Sequence, residues 1–308
     1  MRRFRITQRR RRFAAGTLVS LAFVGTATIT SAAGADGVGA QMSVRAQSAS
    51  YNDAVAMSGT VARTPQGQPV RVAFRSAGNE RWREIRTVGA APSGAFSTKV
   101  RVRRSGEWRA VPRVGEPSTP KRIVVRADLS LRRPSSTVMS GRSAVVRGVL
   151  RPARAGEIVR IQIRRGSRWL TVDRARTRRG GSFTAAWRAR VVGRYAVRAL
   201  FGGDAVAAAD RTGSRRFNVY RRSFASYYGP GFFGARTACG QTLTPSTLGV
   251  AHKTLPCGTR VTFRKGARTV TVRVIDRGPF HAGRDWDLTS ATKQRLGFGS
   301  TGTVLSTK

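Results

Sequence analysis

Acidic residues are scarce in this chain of 308 residues: 14 Asp and Glu stand against 58 Lys and Arg, for a formal net charge of +44. Such a field disfavours cationic partners. It favours polyanions: nucleic acid, anionic lipid, or the phosphate polymers and carboxylates of a cell wall. Histidine and cysteine are scarcer still, two of each: His252, His281, Cys239 and Cys257. Tetrahedral zinc would have to draw on that whole inventory at one point. The three Asp near the C-terminus lack the spacing of a calcium loop, and Arg277 and Arg284 crowd them. No metal and no cofactor is expected. A hydrophobic content of 40% is modest but enough for several small cores.

What is present begins with a leader. Residues 1–12, "MRRFRITQRRRR", hold seven Arg and no acid, and the apolar run "FAAGTLVSLAFVGTATITSAA" follows. Small residues then offer cleavage after Ala33, Ala35 or Ala40. This order of basic, apolar and small-residue regions is that of a secretory signal within residues 1–40. Arg10-Arg11-Arg12-Phe13 also fits a twin-arginine signal. An uncleaved membrane anchor is the competing reading, weakened by the Gly, Thr and Ser that dilute the run. Export implies a secreted, wall-associated monomer that meets the membrane only in transit, with nucleic acid excluded as a natural partner. In an oxidising compartment an isolated Cys pair reads as a disulfide, Cys239–Cys257, stabilising by about 3 kcal/mol.

The middle of the chain repeats itself. Gly59, Gly67 and Val70 recur as Gly148, Gly156 and Val159. After a two-residue deletion, Trp82, Gly94, Phe96, Gly106 and Trp108 recur as Trp169, Gly181, Phe183, Gly193 and Tyr195. "PVRVAFR" and "EIVRIQIR" alternate apolar and basic residues, as half-buried strands do, between turn clusters such as "TPQGQ" and "RRGGS". Short strands about every ten residues predict two β-sandwiches, at 41–126 and 127–221. The Gly-x-Phe and Gly-x-Trp/Tyr landmarks resemble those of bacterial immunoglobulin-like surface domains. Trp82 and Trp169 are expected in the sandwich cores, and the outward Arg are expected to hold the protein on an anionic wall.

From residue 222 the composition changes. Aromatics gather in "FASYYGPGFFG", and residues 222–308 contain no Glu. "TRVTFRKGARTVTVRVID" predicts a hairpin with Val261 and Phe263 facing one way on one arm, and Val270, Val272 and Val274 on the other. "SATKQRLG" predicts a short helix capped by Ser290 and stopped by Gly297. About 85 residues with one helix suggest a small closed barrel that a disulfide would help stabilise.

Three stretches in order, "ASYYGPGFFGARTACGQTLTPSTLGVAHKTLPCGTRVTF", "VRVIDRGPF" and "DLTSATKQRLG", resemble the rare lipoprotein A family across 224–306. The resemblance implies a mainly β protein whose last domain, 222–308, is a six-stranded double-psi β-barrel. It also implies a lytic transglycosylase, which cleaves the β-1,4 bond between N-acetylmuramic acid and N-acetylglucosamine in peptidoglycan to leave a 1,6-anhydro end. The family's key His and Asp carry over as His252 and Asp276, and the Asp of its "DLS" motif as Asp287.

The residues themselves constrain that chemistry. Such an enzyme needs one acid/base group and no carboxylate to activate water. Asp276 ends an alternating strand before a turn and is the expected acid/base, although Asp before Gly-Pro also serves as a plain turn residue. His252 would shuttle a proton or position the sugar. Asp287 is expected to accept backbone donors at the helix start, and Asp285 to be exposed and idle. Arg277, Tyr228 and Gln241 are expected to support or bind substrate, with Tyr227, Phe232 and Phe233 as further stacking candidates. Gln241 stands where the family commonly has Glu, and Gln transfers no proton. That departure, together with the disulfide, leaves a second reading open: an expansin-like protein that binds or loosens wall glycan without cutting it.

Overall fold

The computed structural model describes residues 39–132 and 137–308. The leader predicted within 1–40 falls almost wholly outside the described residues. The described chain is β throughout except for one short helix.

The first sandwich uses eight strands: β1 (Gln41–Val44), β2 (Ser48–Ser50), β3 (Ala54–Thr60), β4 (Gln68–Ser76), β5 (Arg83–Ala90), β6 (Ala95–Arg101), β7 (Gly106–Pro112) and β8 (Lys121–Arg126). They form two sheets, ordered β1-β3-β6 and β2-β8-β7-β4-β5, with β2 parallel to β8. The inward residues of both sheets meet in one core. Met57, Phe96 and Val100 come from the small sheet, and Val72, Trp108 and Ile123 from the large one.

The second sandwich repeats this order strand for strand. β9 (Asp128–Leu131), β11 (Ser143–Arg151) and β14 (Ser182–Arg188) make the small sheet. β10 (Thr137–Met139), β12 (Ile158–Arg165), β13 (Arg168–Arg176), β15 (Gly193–Phe201) and the start of β17 (Arg215–Tyr228) make the large one, with β16 (Asp210–Arg211) on β15. Again the second strand lies parallel to the last. Each unit is thus a β-sandwich of a three-stranded and a larger sheet. The repeat has a packing cause. Gly59 pairs with Phe96 and Gly148 with Phe183 across adjacent strands. A Cβ on either glycine would run into that ring and into the carbonyl of the neighbouring strand, Gln41 or Ser130.

Trp82 and Trp169 are not core residues. Both are partly buried on the outer face of the large sheet: register turns Trp169 away from the core, and Trp82 lies just before β5 under arginines of that face. Guanidiniums cover them: Arg75 and Arg109 lie 4.8 and 4.2 Å from the Trp82 ring centre, and Arg198 lies 4.0 Å from that of Trp169. The interior aromatics instead include Trp108 and Phe96 in the first sandwich and Phe183, Phe201 and Phe217 in the second.

No linker separates the second sandwich from the C-terminal sheet. The first half of β17 pairs with β15 and β10, and the second half enters another sheet, so one strand of 14 residues serves both. The C-terminal sheet adds β18 (Val250–Ala251), β19 (Arg260–Lys265), β20 (Arg268–Asp276), β21 (Trp286–Thr289) and β22 (Gly302–Ser306), with α1 (Ser290–Leu296) between the last two. Its order, β17-β21-β18-β20-β19-β22, closes because β22 also pairs with β17. Closure satisfies every sheet edge and gives a six-stranded barrel. The β17–β21 and β18–β20 pairs are parallel and the others antiparallel. Val261, Phe263, Val270, Val272 and Val274 of the β19–β20 hairpin all point into the barrel, where Phe263 meets Trp286 edge-on at 5.2 Å.

The helix cap lies one residue earlier than the sequence suggests. Thr289, extended and fully buried, accepts from the Thr292 N–H, while Ser290 bonds the Tyr228 carbonyl. Gly297 ends the helix in the left-handed region, φ 61°. Thr289 also exchanges hydrogen bonds with Gly249, so it joins helix, β21 and the β18 approach. Thr289→Ala is therefore expected to cost about 1–2 kcal/mol in urea unfolding of the barrel. Thr289→Ser should restore most of it.

Candidate active site

The site grows from a single row of paired residues. Ser226 on β17 pairs with Asp287 on β21, Asp287 with Ala251 on β18, and Ala251 with Asp276 on β20. Directly paired residues share a face, so the two carboxylates flank the methyl group of Ala251. Their backbones stand two strand spacings apart, roughly 10 Å. The row floors a cleft of about 580 Å³ that Tyr227, Tyr228 and the loops 229–243 and 277–284 complete.

The two carboxylates have different surroundings. Asp276 Oδ1 accepts two backbone N–H groups, from Ala238 and Arg277, each at 2.9 Å, which fix its carboxylate at the end of β20. Asp287 accepts only the Ser226 hydroxyl, at 2.7 Å. Burial raises its pKa above the ordinary carboxyl value, against the opposing pull of Ser226, Arg284 and His281, and the nearby Asp276 adds to the rise. The expected backbone donors at Asp287 are absent from its hydrogen bonds, because its strand position aims it into the cleft rather than at the helix. Tyr228 lies beside Asp276. Its hydroxyl is buried without a well-formed hydrogen bond, and burial together with the Asp276 carboxylate raises its pKa strongly.

His252 does not line the cleft. Its Nδ1 accepts the N–H groups of Thr254 and Leu255 at 3.1 and 3.0 Å, and its ring leans on that of Trp286 at 4.5 Å. Burial and then the neighbouring Arg221 lower its pKa. The ring is thus a neutral imidazole with its proton on Nε2, bracing the 252–255 turn. Its backbone N–H bonds the Asp276 carbonyl at 3.1 Å, which links that turn to the carboxylate.

Arg277 lines the cleft but spends its guanidinium on the same turn, donating to the carbonyls of Leu255 at 3.0 Å and His252 at 3.4 Å. The Cys239–Cys257 disulfide forms, with Cα atoms 5.8 Å apart. It ties this turn to the segment whose Ala238 N–H holds Asp276. Gln241 is exposed and does not border the cleft. Asp285 is not idle: it pairs with Arg221 at 3.1 Å and accepts the Phe224 N–H at 2.8 Å, fastening β21 to β17.

Sequence reasoning missed part of the rim. Phe280, 84% exposed, borders the cleft with Arg236, His281 and Arg284, beside the anticipated Phe232, 60% exposed. Phe280 and His281 follow "DRGP" directly, and an apolar residue beside a candidate acid was the available signal. Among the described residues no cluster of three His, Cys, Asp or Glu could hold a metal ion.

A closed barrel with a two-carboxylate cleft defines a class, and comparison with known proteins specifies it. Residues 222–305 match the family described as "Lytic transglycolase", a double-psi β-barrel domain. This segment thus has the double-psi β-barrel fold. It is 48% identical over 80 residues to the probable endolytic peptidoglycan transglycosylase RlpA of Synechocystis sp., covering 25% of each chain. It is 46% identical over 82 residues to the endolytic peptidoglycan transglycosylase RlpA of Neisseria meningitidis serogroup A, covering 26% of this chain and 34% of that protein. With the probable RlpA of Aquifex aeolicus it shares 37% over 94 residues, 30% of this chain and 42% of the other. The chain thus spans between a quarter and about two fifths of the length of these relatives, and the likeness lies in the barrel.

Proposed function

We propose that the barrel is an extracytoplasmic lytic transglycosylase acting on peptidoglycan glycan strands. The supporting observation is the Ser226–Asp287–Ala251–Asp276 row, which sets two carboxyls, one of them buried with its pKa raised, on the floor of an aromatic-rimmed cleft. Naming of the relatives supports the same reading. The domain layout 1–40, 41–126, 127–221 and 222–308 is part of this proposal, with the sandwiches holding the barrel on the wall.

In this reading Asp287 delivers its proton to the glycosidic oxygen as the C1–O4 bond breaks. Asp276 faces the positive charge that develops at C1 and takes the proton from the muramyl 6-hydroxyl as O6 closes on C1. One bond breaks, one forms, no water is consumed, and the product is a 1,6-anhydro end. The net proton passes from O6 to the leaving oxygen, and exchange between the two carboxyls resets the site. His252 and Arg277 act through the turn they brace. Phe280 and Phe232 offer faces on which sugar rings stack.

The test is digestion of purified sacculi with the full chain and mass spectrometry of the soluble products. Anhydro-muropeptides are expected. Tight binding without soluble products would favour the expansin-like alternative.

The assignment of Asp287 has a pH signature. A raised pKa means the acid keeps its proton to higher pH than an ordinary Asp, and the active fraction falls as pH rises through that value. Turnover should therefore decline on the alkaline side. Asp287→Asn should lower it by about 10²-fold or more and flatten that limb. An unchanged limb in the variant would assign the proton to another group.

A further inference from the structure

The outer faces of the two large sheets have the same topology and the same guanidinium-on-indole stack, yet different charge. On the first sandwich, acids offset part of the charge: Glu107 pairs with Arg75, and Glu84 of β5 sits opposite Ala73. On the second, register places Arg160 and Arg164 of β12 on the outer face with Arg198 of β15, and Arg194 with Asn218 of β17. Arg216 lies two residues along from Asn218 on the same face. No acid occupies these positions. Glu157 and Asp204 are engaged with Arg154, Asp173 accepts the Ala186 N–H, Asp210 accepts the Leu129 N–H, and Asp128 lies on the other sheet.

The face continues onto the barrel. Arg264 of β19 reaches Thr137 of β10 at 2.8 Å, and Thr137 pairs with Asn218. Arg260 lies close enough to Arg194 to depress its basicity, after burial and together with Arg216. Guanidiniums crowd one another here without a counter-charge, a costly arrangement for stability alone.

We propose that this face, centred on Arg194, Arg198 and Arg216 and bounded by Arg260, docks a phosphodiester-linked anionic polymer of the cell envelope. Strand spacing and the two-residue repeat put successive guanidiniums about 5–7 Å apart, a lattice suited to a chain with one charge per short repeat unit. Each planar fork can take a phosphate with two hydrogen bonds. Nucleic acid fits less well. Its single strands bind by stacking on exposed aromatics, whereas Trp169 is already covered by Arg198. The flat sheet also offers no helix or ribbon to a groove. Because β17 runs unbroken from this face to the cleft, a polymer held here fixes the barrel relative to the wall. Only that last consequence rests on the function proposed above.

The experiment measures binding of the full chain to lipid-free poly(glycerol phosphate) across a salt series, with oligothymidylate and a neutral chitooligosaccharide as comparisons. Arg194→Gln/Arg198→Gln/Arg216→Gln should weaken poly(glycerol phosphate) binding at least 10-fold. It should also reduce the slope of log affinity against log salt by about 2. A matched triple change on the outer face of the first sandwich, Arg71→Gln/Arg109→Gln/Arg122→Gln, should weaken binding less than 2-fold. Equal losses from the two triple variants would overturn the docking face, as would tighter binding of oligothymidylate than of the polyol phosphate. Turnover on short neutral glycan, read in parallel, is expected to be the same in wild type and the first variant. Its absence in wild type would count against the cleft, not against this face.

Discussion

Asp276→Asn is expected to reduce release of anhydro-muropeptides by about 10³-fold, with the fold intact. The isosteric amide can keep an oxygen for the Ala238 and Arg277 N–H groups that now bind Oδ1 at 2.9 Å. It cannot accept the 6-hydroxyl proton or carry the charge that faces C1. Near-equal melting temperatures with near-total loss of product would identify chemistry as the cause. Undiminished product would remove Asp276 from the mechanism and leave Asp287 as the remaining carboxyl of the row. Sacculus binding should fall much less than turnover, because the rim aromatics and arginines are untouched.

Loss of the disulfide should have the largest effect on stability. Cys239 and Cys257, 18 residues apart, close a loop that runs past Leu243, Ala251 and His252. In the chain-entropy picture, opening such a loop costs about 3 kcal/mol. A Cys239→Ser/Cys257→Ser variant should show that deficit in urea unfolding monitored through Trp286, which is fully buried in the barrel. Activity should fall at temperatures where the barrel is still folded. The disulfide braces both supports of Asp276: the Ala238 N–H beside Cys239, and the 252–257 turn clamped by Arg277. An unchanged unfolding midpoint would mean that sheet closure alone holds the loop.

Much of the architecture was legible along the chain. The alternation in 259–276 predicted the hairpin, since a strand with one buried face must alternate. The recurring Gly and Phe landmarks predicted two like units. The structure supplies the reason: Gly59 and Gly148 leave room for the rings of Phe96 and Phe183. The pairing of the two Cys followed from there being only two. Other positions were misread for a common cause. Trp82 and Trp169 look like core residues because indole is large and apolar, but strand parity turns Trp169 outward, Trp82 falls just outside β5, and arginines cover both. Asp285 looks idle, although its partners Arg221 and Phe224 are some sixty residues away in sequence. Thr289 rather than Ser290 caps the helix because the cap must also satisfy Gly249.

Local pattern and composition were enough for the strong positive charge, the strand periods, the repeat, the family resemblance of 222–308 and the three Asp in a domain without Glu. Which of those Asp share a floor came from folding alone. Residues 226, 251, 276 and 287 become neighbours through three pairings, the parallel β17–β21 and β18–β20 and the antiparallel β18–β21, which no local pattern encodes. Folding also brings the Ala238 N–H to Asp276 beside that of its neighbour Arg277, and buries Asp287 with one hydroxyl. A carboxyl's proton affinity is set by what surrounds it, and in a closed barrel those surroundings come from several strands at once.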